Sequence, residues 1–318
     1  MTTAILRSPV VILLSAVTSV QASPGAEALV ETRLPDGWRW TDEAVEYDRD
    51  SIYEYLDGGA MFYLSYSLES LVVRTCGGPE GVPVTVEVYA FAPGGDSHGV
   101  FLNETRGERP TGPWDDAVYG AGLLKAREGR FIVRAQSGRR GDALKEALNA
   151  VASALCVKLS SDDPPPRLLA DARACVDPGE VVEDTERFFH TQDSLSSYYY
   201  LGADNVLGLS ADTDCVLVHL RPGDGDARAI VLVAKYPERR LAEAAAQRLA
   251  ALWGGLPTGD VAHVAQRDGG RWWGMAHGSD ARLGVVLEAD TRGAAERSLA
   301  ILKAIAERAE GDGDDDRQ

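Results

Sequence analysis

Positive charge is what this chain has least of. Lys and Arg number 32 against 49 Asp and Glu, which leaves a formal charge of −17 at pH 7. A nucleic-acid partner needs a basic face to displace phosphate counterions, and an anionic membrane surface attracts the same kind of face; the balance argues against both. Cysteine is sparse too, with four in 318 residues, at spacings that match no zinc-ligand pattern. No Gly-Lys-Ser/Thr sequence closes a glycine-rich loop, so no P-loop cradles a phosphate. Gly254-Gly255 and Gly269-Gly270 read instead as a helix end and a hairpin turn.

Membrane-spanning length is also missing. The uncharged run Val10 to Val20 has eleven residues, whereas a spanning helix needs roughly 20. It follows Arg7 and precedes Val20-Gln21-Ala22, a small-residue cleavage site, so residues 1–22 read as an export signal. The mature chain is expected to begin at Ser23, to carry no membrane span, and to reside in the periplasm or outside the cell. An oxidising compartment permits disulfides. Four cysteines allow three pairings, among which the sequence does not choose; Cys156 and Cys175, which flank Pro164-Pro165-Pro166, are a pair that could staple the two halves of the chain. Cys215, in Cys215-Val216-Leu217-Val218, reads as a small apolar residue of a buried strand.

What is there is a unit written twice. Tyr53-Glu54-Tyr55-Leu56-Asp57-Gly58-Gly59-Ala60 returns in weaker form about 145 residues later as Tyr198-Tyr199-Tyr200-Leu201-Gly202-Ala203. In the first copy Ser51 and Glu54 fit a capping box, so a short helix is predicted to Asp57 with a glycine taking the left-handed cap. Strands follow at Ser70–Cys76 and Val84–Phe91, the second with valines at alternate positions. Asp96 or Ser97 then caps a helix from about His98 to Thr105. A strand pair comes at Gly120–Lys125 and Arg130–Ala135, then a helix at Ala143–Leu155, with Trp38 and Trp40 as core anchors ahead of it all. The second copy reads helix at Ser194–Leu201, strands at Cys215–Leu220 and Ala229–Tyr236, and helix at Leu241–Trp253. Strands at Val261–Arg267 and Arg271–His277 come next, and the closing helix is Ala294–Ala309. A further strand at Leu283–Glu288 has no obvious counterpart.

Hairpins covered by helices define an α+β fold, two tandem repeats each with an antiparallel β-sheet covered by helices. The expected division is 23–160 for the first repeat, 161–185 for a linker and 186–310 for the second. An acidic disordered tail is expected at 311–318, where Gly311-Asp312-Gly313-Asp314 starts like a calcium loop but lacks the later bidentate Glu.

The motif at 53–60, Val86-Glu87-Val88-Tyr89 and Asp96-Ser97-His98-Gly99-Val100-Phe101 together resemble an uncharacterised family of exported bacterial proteins catalogued as a domain of unknown function. Phe188-Phe189-His190 and the tyrosines at 198–200 fit its second half. The chain departs from the family pattern at Leu56-Asp57, Met61 and His98, and lacks the lipoprotein signal that many members carry. The resemblance implies export and a duplicated architecture, and no activity.

Two constellations carry candidate chemistry. Gly95-Asp96-Ser97-His98-Gly99 is a literal G-x-S-x-G with a strand before it, a helix after it and His190, His219, His263 and His277 downstream. Against a nucleophilic Ser97 stand the loose Pro93-Gly94-Gly95 connection, the antiparallel fold and the lack of an oxyanion-hole motif upstream. The second is Asp57, Glu87, Tyr89 and His98. The offset of 145 places Gly202, Leu232 and Glu243 opposite Asp57, Glu87 and His98. The other copy therefore folds without these side chains, which frees them to hold a cation or polar ligand. The competing reading leaves Glu87 in solvent, Asp57 capping a turn and His98 exposed. Tyr198-Tyr199-Tyr200 near His190 reads as half-buried packing or as an aromatic pocket wall, and one ring of Trp272-Trp273 is expected in the core. No metal site and no cofactor are expected. The function expected is a non-catalytic binding or accessory role at the cell envelope, toward a small molecule or an envelope protein. The alternative is an extracytoplasmic hydrolase that uses Ser97 or the first-half carboxylates.

Overall fold

The computed structural model describes residues 23–139, 141–223, 225–254, 263–278 and 281–307. The leader at 1–22 and the acidic tail at 311–318 lie outside them. The first half contains helix α1 (Pro24–Glu31), strands β1 (Arg39–Trp40) and β2 (Val45–Tyr47), and short helices α2 (Tyr53–Leu56) and α3 (Ala60–Leu64). It continues with β3 (Leu68–Gly77), β4 (Pro83–Phe91), α4 (Asp96–Leu102), β5 (Asp116–Gly120), β6 (Leu123–Glu128), β7 (Phe131–Gln136) and α5 (Asp142–Leu159). The second half contains α6 (Arg167–Cys175), β8 (Arg187–Phe189), α7 (Gln192–Tyr198), β9 (Asp214–Leu220), β10 (Ala229–Lys235), α8 (Arg239–Leu252), β11 (His263–Gln266), β12 (Trp272–His277), β13 (Arg282–Ala289) and α9 (Arg292–Glu307).

Among the described residues the strands form two antiparallel sheets. One has seven strands in the order β1-β3-β4-β7-β6-β5, with β2 also on β3, and the other six in the order β11-β12-β13-β10-β9-β8. Matching β3 with β9, β4 with β10 and β5 to β7 with β11 to β13 makes the two orders identical. The duplication is therefore a duplication of topology. The strand at Arg282–Ala289 does have a counterpart, β7; what the sequence reading missed was β5, whose Asp116-Ala117-Val118-Tyr119 run is short and begins with a charge.

Both faces of each sheet are covered. In the first half α1 and α5 close one face over Val84, Val86, Val88 and Val133, while α2 to α4 close the other over Leu71, Tyr89 and Ile132. In the second, α6 and α9 close one face and α8 the other. Strands buried on both sides cannot alternate apolar with polar, which is why β10 reads Ala-Ile-Val-Leu-Val-Ala. Helix α5 places Leu144, Leu148, Val151, Leu155 and Leu159 on its buried stripe, the three-and-four spacing of a one-sided helix.

Several local expectations changed. The stretch 161–185, expected as a linker, carries α6, which packs on α9 and β9 much as α1 packs on α5 and β3. All four cysteines are free. Cys156 packs inside the first-half core and Cys175 against a second-half core, so no staple forms between them. The capping box at Ser51 is replaced by a reciprocal pair with Asp48, whose Oδ1 accepts the Ser51 hydroxyl at 2.7 Å. The left-handed residue after α2 is Asp57 (φ 48°), not either glycine. Asp96 caps no helix; Gly95 (φ 89°) precedes α4 and the Asp96 carboxylate turns elsewhere.

The G-x-S-x-G sequence is thereby explained by packing. Gly95 needs its positive φ, and a Cβ there would sit 2.5 Å from the Pro166 ring. Gly99 lets α4 lie against β8, since a Cβ would come within 2.5 Å of the Tyr66 ring and 2.6 Å of the Phe188 carbonyl oxygen. Gly99→Ala is expected to cost about 1–3 kcal/mol through overpacking between the halves. A thermal melt that leaves Gly99→Ala at the wild-type midpoint would contradict this contact.

Candidate functional site

The sequence-predicted residues separate into three places. Glu87 is 2% exposed, on β4, facing away from the valine side. It is fully engaged: Tyr55 Oη donates to Oε1 at 2.8 Å, Tyr89 Oη to Oε2 at 3.1 Å and Arg134 Nη1 to Oε2 at 2.8 Å. Arg134 stands directly across the β4–β7 ladder, and Tyr63 stacks on Tyr89 at 4.3 Å. Burial foremost, then the Glu87 charge, pushes the Tyr55 hydroxyl far above its ordinary range. Glu87 and Tyr89 thus share one closed network with partners the sequence did not nominate.

Asp57 and His98 do not join it. Asp57 is exposed at the end of α2. His98 is 4% exposed on α4, among Arg127, Asp116 and Arg173. Burial, reinforced by Arg127, pushes its imidazole down to about 4, so it is neutral, and its Nδ1 has no hydrogen-bond partner. Ser97 is wholly buried and its hydroxyl donates to the Gly129 carbonyl at 2.7 Å. That bond ties α4 to the β6–β7 turn; among the described residues no histidine nitrogen bonds to Ser97. Trp273 is the core ring of its pair, and Tyr200 of the tyrosine run is 70% exposed.

A charged contact between the halves was not foreseen. His190, just after β8, lies between Asp96 on α4 and Asp214 at the start of β9. Its Nε2–H donates to Asp96 Oδ1 at 2.9 Å, and its Nδ1–H to the Thr213 carbonyl at 3.0 Å, with Asp214 Oδ1 at 3.4 Å. Both ring nitrogens face acceptors, so both carry protons and the ring is an imidazolium. Burial opposes that charge, but the bonds to Asp214 and Asp96 outweigh it and raise the group to about 10. Burial also works against ionised Asp96, yet His190 and the Ser67 N–H (2.6 Å) bring its carboxyl below the ordinary value.

Residues of both halves also line a cleft of about 970 Å³. Phe101, Leu102, Val176, Val216 and Val218 form its apolar surface, and Trp114 and Pro110 stand on the connection from α4 to β5. Its charged groups come from both halves and mostly satisfy one another. Arg127, 6% exposed behind the wall, holds Asp115 at 2.9 Å and Asp116 at 2.8 Å. Arg173 donates to Glu186 at 2.6 Å, and Thr105 to Asp184 at 2.7 Å. Lys125 donates to the Phe101 carbonyl at the end of α4, and burial lowers its ammonium to about 8. A concave, partly apolar site between two bodies with few placed polar groups is where ligands most often bind.

Among the described residues no group of three or more His, Cys, Asp and Glu could hold a metal ion, and no helix is long and apolar enough to cross a membrane. The fold and cleft define a duplicated α+β protein with an inter-repeat site. No protein-family model matches the chain, and neither a curated protein nor a solved structure matches it.

No sequence signal marked the cleft, because its walls are 101–117 and 172–218, brought together only by docking of the halves. Arg134 and His190 were similarly invisible as partners: 47 residues separate Arg134 from Glu87, and 94 separate His190 from Asp96.

Proposed function

We propose that this is an exported binding or accessory protein of the cell envelope, which takes a small molecule in the cleft between its two halves. Export rests on Arg7, the uncharged run Val10–Val20 and the small residues before Ser23, and on the resemblance to an exported family. The observation that carries the binding reading is the cleft itself. It is built from both halves, and it combines apolar surface with charged groups held by ion pairs. A binding role also suits Ser97, which is buried with its hydroxyl on the Gly129 carbonyl.

Thermal-shift screening of a metabolite library tests this, because a ligand that binds only the native state at 100 times its Kd adds about 2.7 kcal/mol. Hits should stabilise the wild-type protein and lose their effect in Val181→Trp, whose indole would fill the cleft from a half-buried position. Stabilisers that act equally on both proteins would place binding elsewhere and sink the reading.

A further inference from the structure

Once the close pairs at the cleft are set aside, Arg109 and Glu183 still have hydrogen-bonding capacity to offer. Arg109 lines it, is 54% exposed at the side chain, and among the described residues makes no hydrogen bond; its guanidinium forms only a long ion pair, 3.8 Å, with Asp184, which is already bonded to Thr105, and lies 6.0 Å over the Phe101 ring. Glu183 lines it too, is exposed, and among the described residues has neither hydrogen bond nor ion pair. The two come from opposite halves yet share one rim, since Arg109 reaches toward the residue next to Glu183. A guanidinium with free donors is a fork for a carboxylate, and a free carboxylate accepts from an ammonium. Below that rim lie Phe101, Val176, Val216 and Val218.

We infer that the cleft recognises a free α-amino acid with a bulky apolar side chain, its carboxylate on Arg109, its ammonium on Glu183 and its side chain on the apolar wall. The inference rests on the binding reading above and names the ligand class for the same site. A simple organic cation would leave Arg109 facing its charge, and a simple carboxylate would leave Glu183 so placed. Only a ligand with both charges close together and an apolar remainder answers all three surfaces.

Calorimetry with L-phenylalanine and its two half-molecules tests this directly. Phenethylamine lacks the carboxylate and 3-phenylpropionate lacks the ammonium. Each should bind the wild-type protein at least about tenfold more weakly than phenylalanine, which corresponds to about 1.4 kcal/mol. In Arg109→Gln the advantage of phenylalanine over phenethylamine should vanish while its advantage over 3-phenylpropionate persists; Glu183→Gln should do the reverse. Both side chains are solvent-exposed, and an unchanged melting midpoint verifies that each variant is folded. Equal binding of phenylalanine and either half-molecule by the wild type would overturn the inference. So would failure of phenylalanine to bind while library compounds still bind in a Val181-sensitive manner, an outcome that leaves the cleft a binding site. No Val181-sensitive ligand of any kind would remove both.

Discussion

Replacing His190 with alanine is expected to lower the free energy of unfolding by about 3–5 kcal/mol, because it strands the Asp96 carboxylate in a buried site without its counter-charge. Asp96 and His190 are 13% and 7% exposed at the side chain, so water cannot substitute fully for the lost partner. Urea titration should show a lower midpoint with unchanged slope. The Asp96→Ala, His190→Ala double variant should cost less than the sum of the singles, since each single leaves the other group uncompensated. The same contact sets a pH dependence. His190 is raised from 6.5 to about 10 in the folded protein. Its contribution is therefore complete below pH 6.5 and fades as pH rises through about 10. Asp96 is lowered below its ordinary 3.8, so its contribution is present above that value and is lost as pH falls through the folded pKa. Stability should decline on the alkaline side of pH 6.5 in the wild type and lose that decline in His190→Ala. An identical alkaline limb in both proteins would show that another group titrates there.

The second large effect is at Glu87. Glu87→Leu should cost about 3 kcal/mol by leaving the half-buried Arg134 without its carboxylate and the Tyr55 and Tyr89 hydroxyls without their acceptor. The remedy is written in the other half of the chain. There the residues at the corresponding rung, Leu232 and Val285, face each other across β10 and β13 and are both fully buried. The triple substitution Glu87→Leu, Arg134→Val, Tyr89→Phe should therefore recover most of the loss, since an apolar pair can replace a buried ion pair at little cost. Urea midpoints again decide. A triple variant no more stable than Glu87→Leu alone would mean that the two halves pack this face differently.

The difference between halves has a structural origin. Helix α8 has fourteen residues and covers its face of the second sheet with Ala242, Ala245, Ala246 and Leu249. Its counterpart α4 has seven. The turns that α4 lacks leave part of the first sheet to be covered by tyrosines and an ion pair. The sequence reading saw that Glu87, Asp57 and His98 had no equivalents in the other copy, and grouped them on that ground. Absence from one copy marks where the halves diverged; it does not say that the divergent side chains meet. His98 turned toward Arg127 and Asp116, and Asp57 to the surface.

Most of the order of helices and strands, the repeated unit and the net negative charge follow from the amino-acid sequence by itself, β5 and α6 excepted. These depend on apolar periodicity, turn residues and composition, all of which act over a few residues. Docking decided the rest. Which cation meets Glu87, how His190 comes to lie between Asp96 and Asp214, and which charges line the cleft are set by contacts between segments tens of residues apart. Those contacts depend on tertiary packing between distant segments, so no local pattern in the chain encodes them.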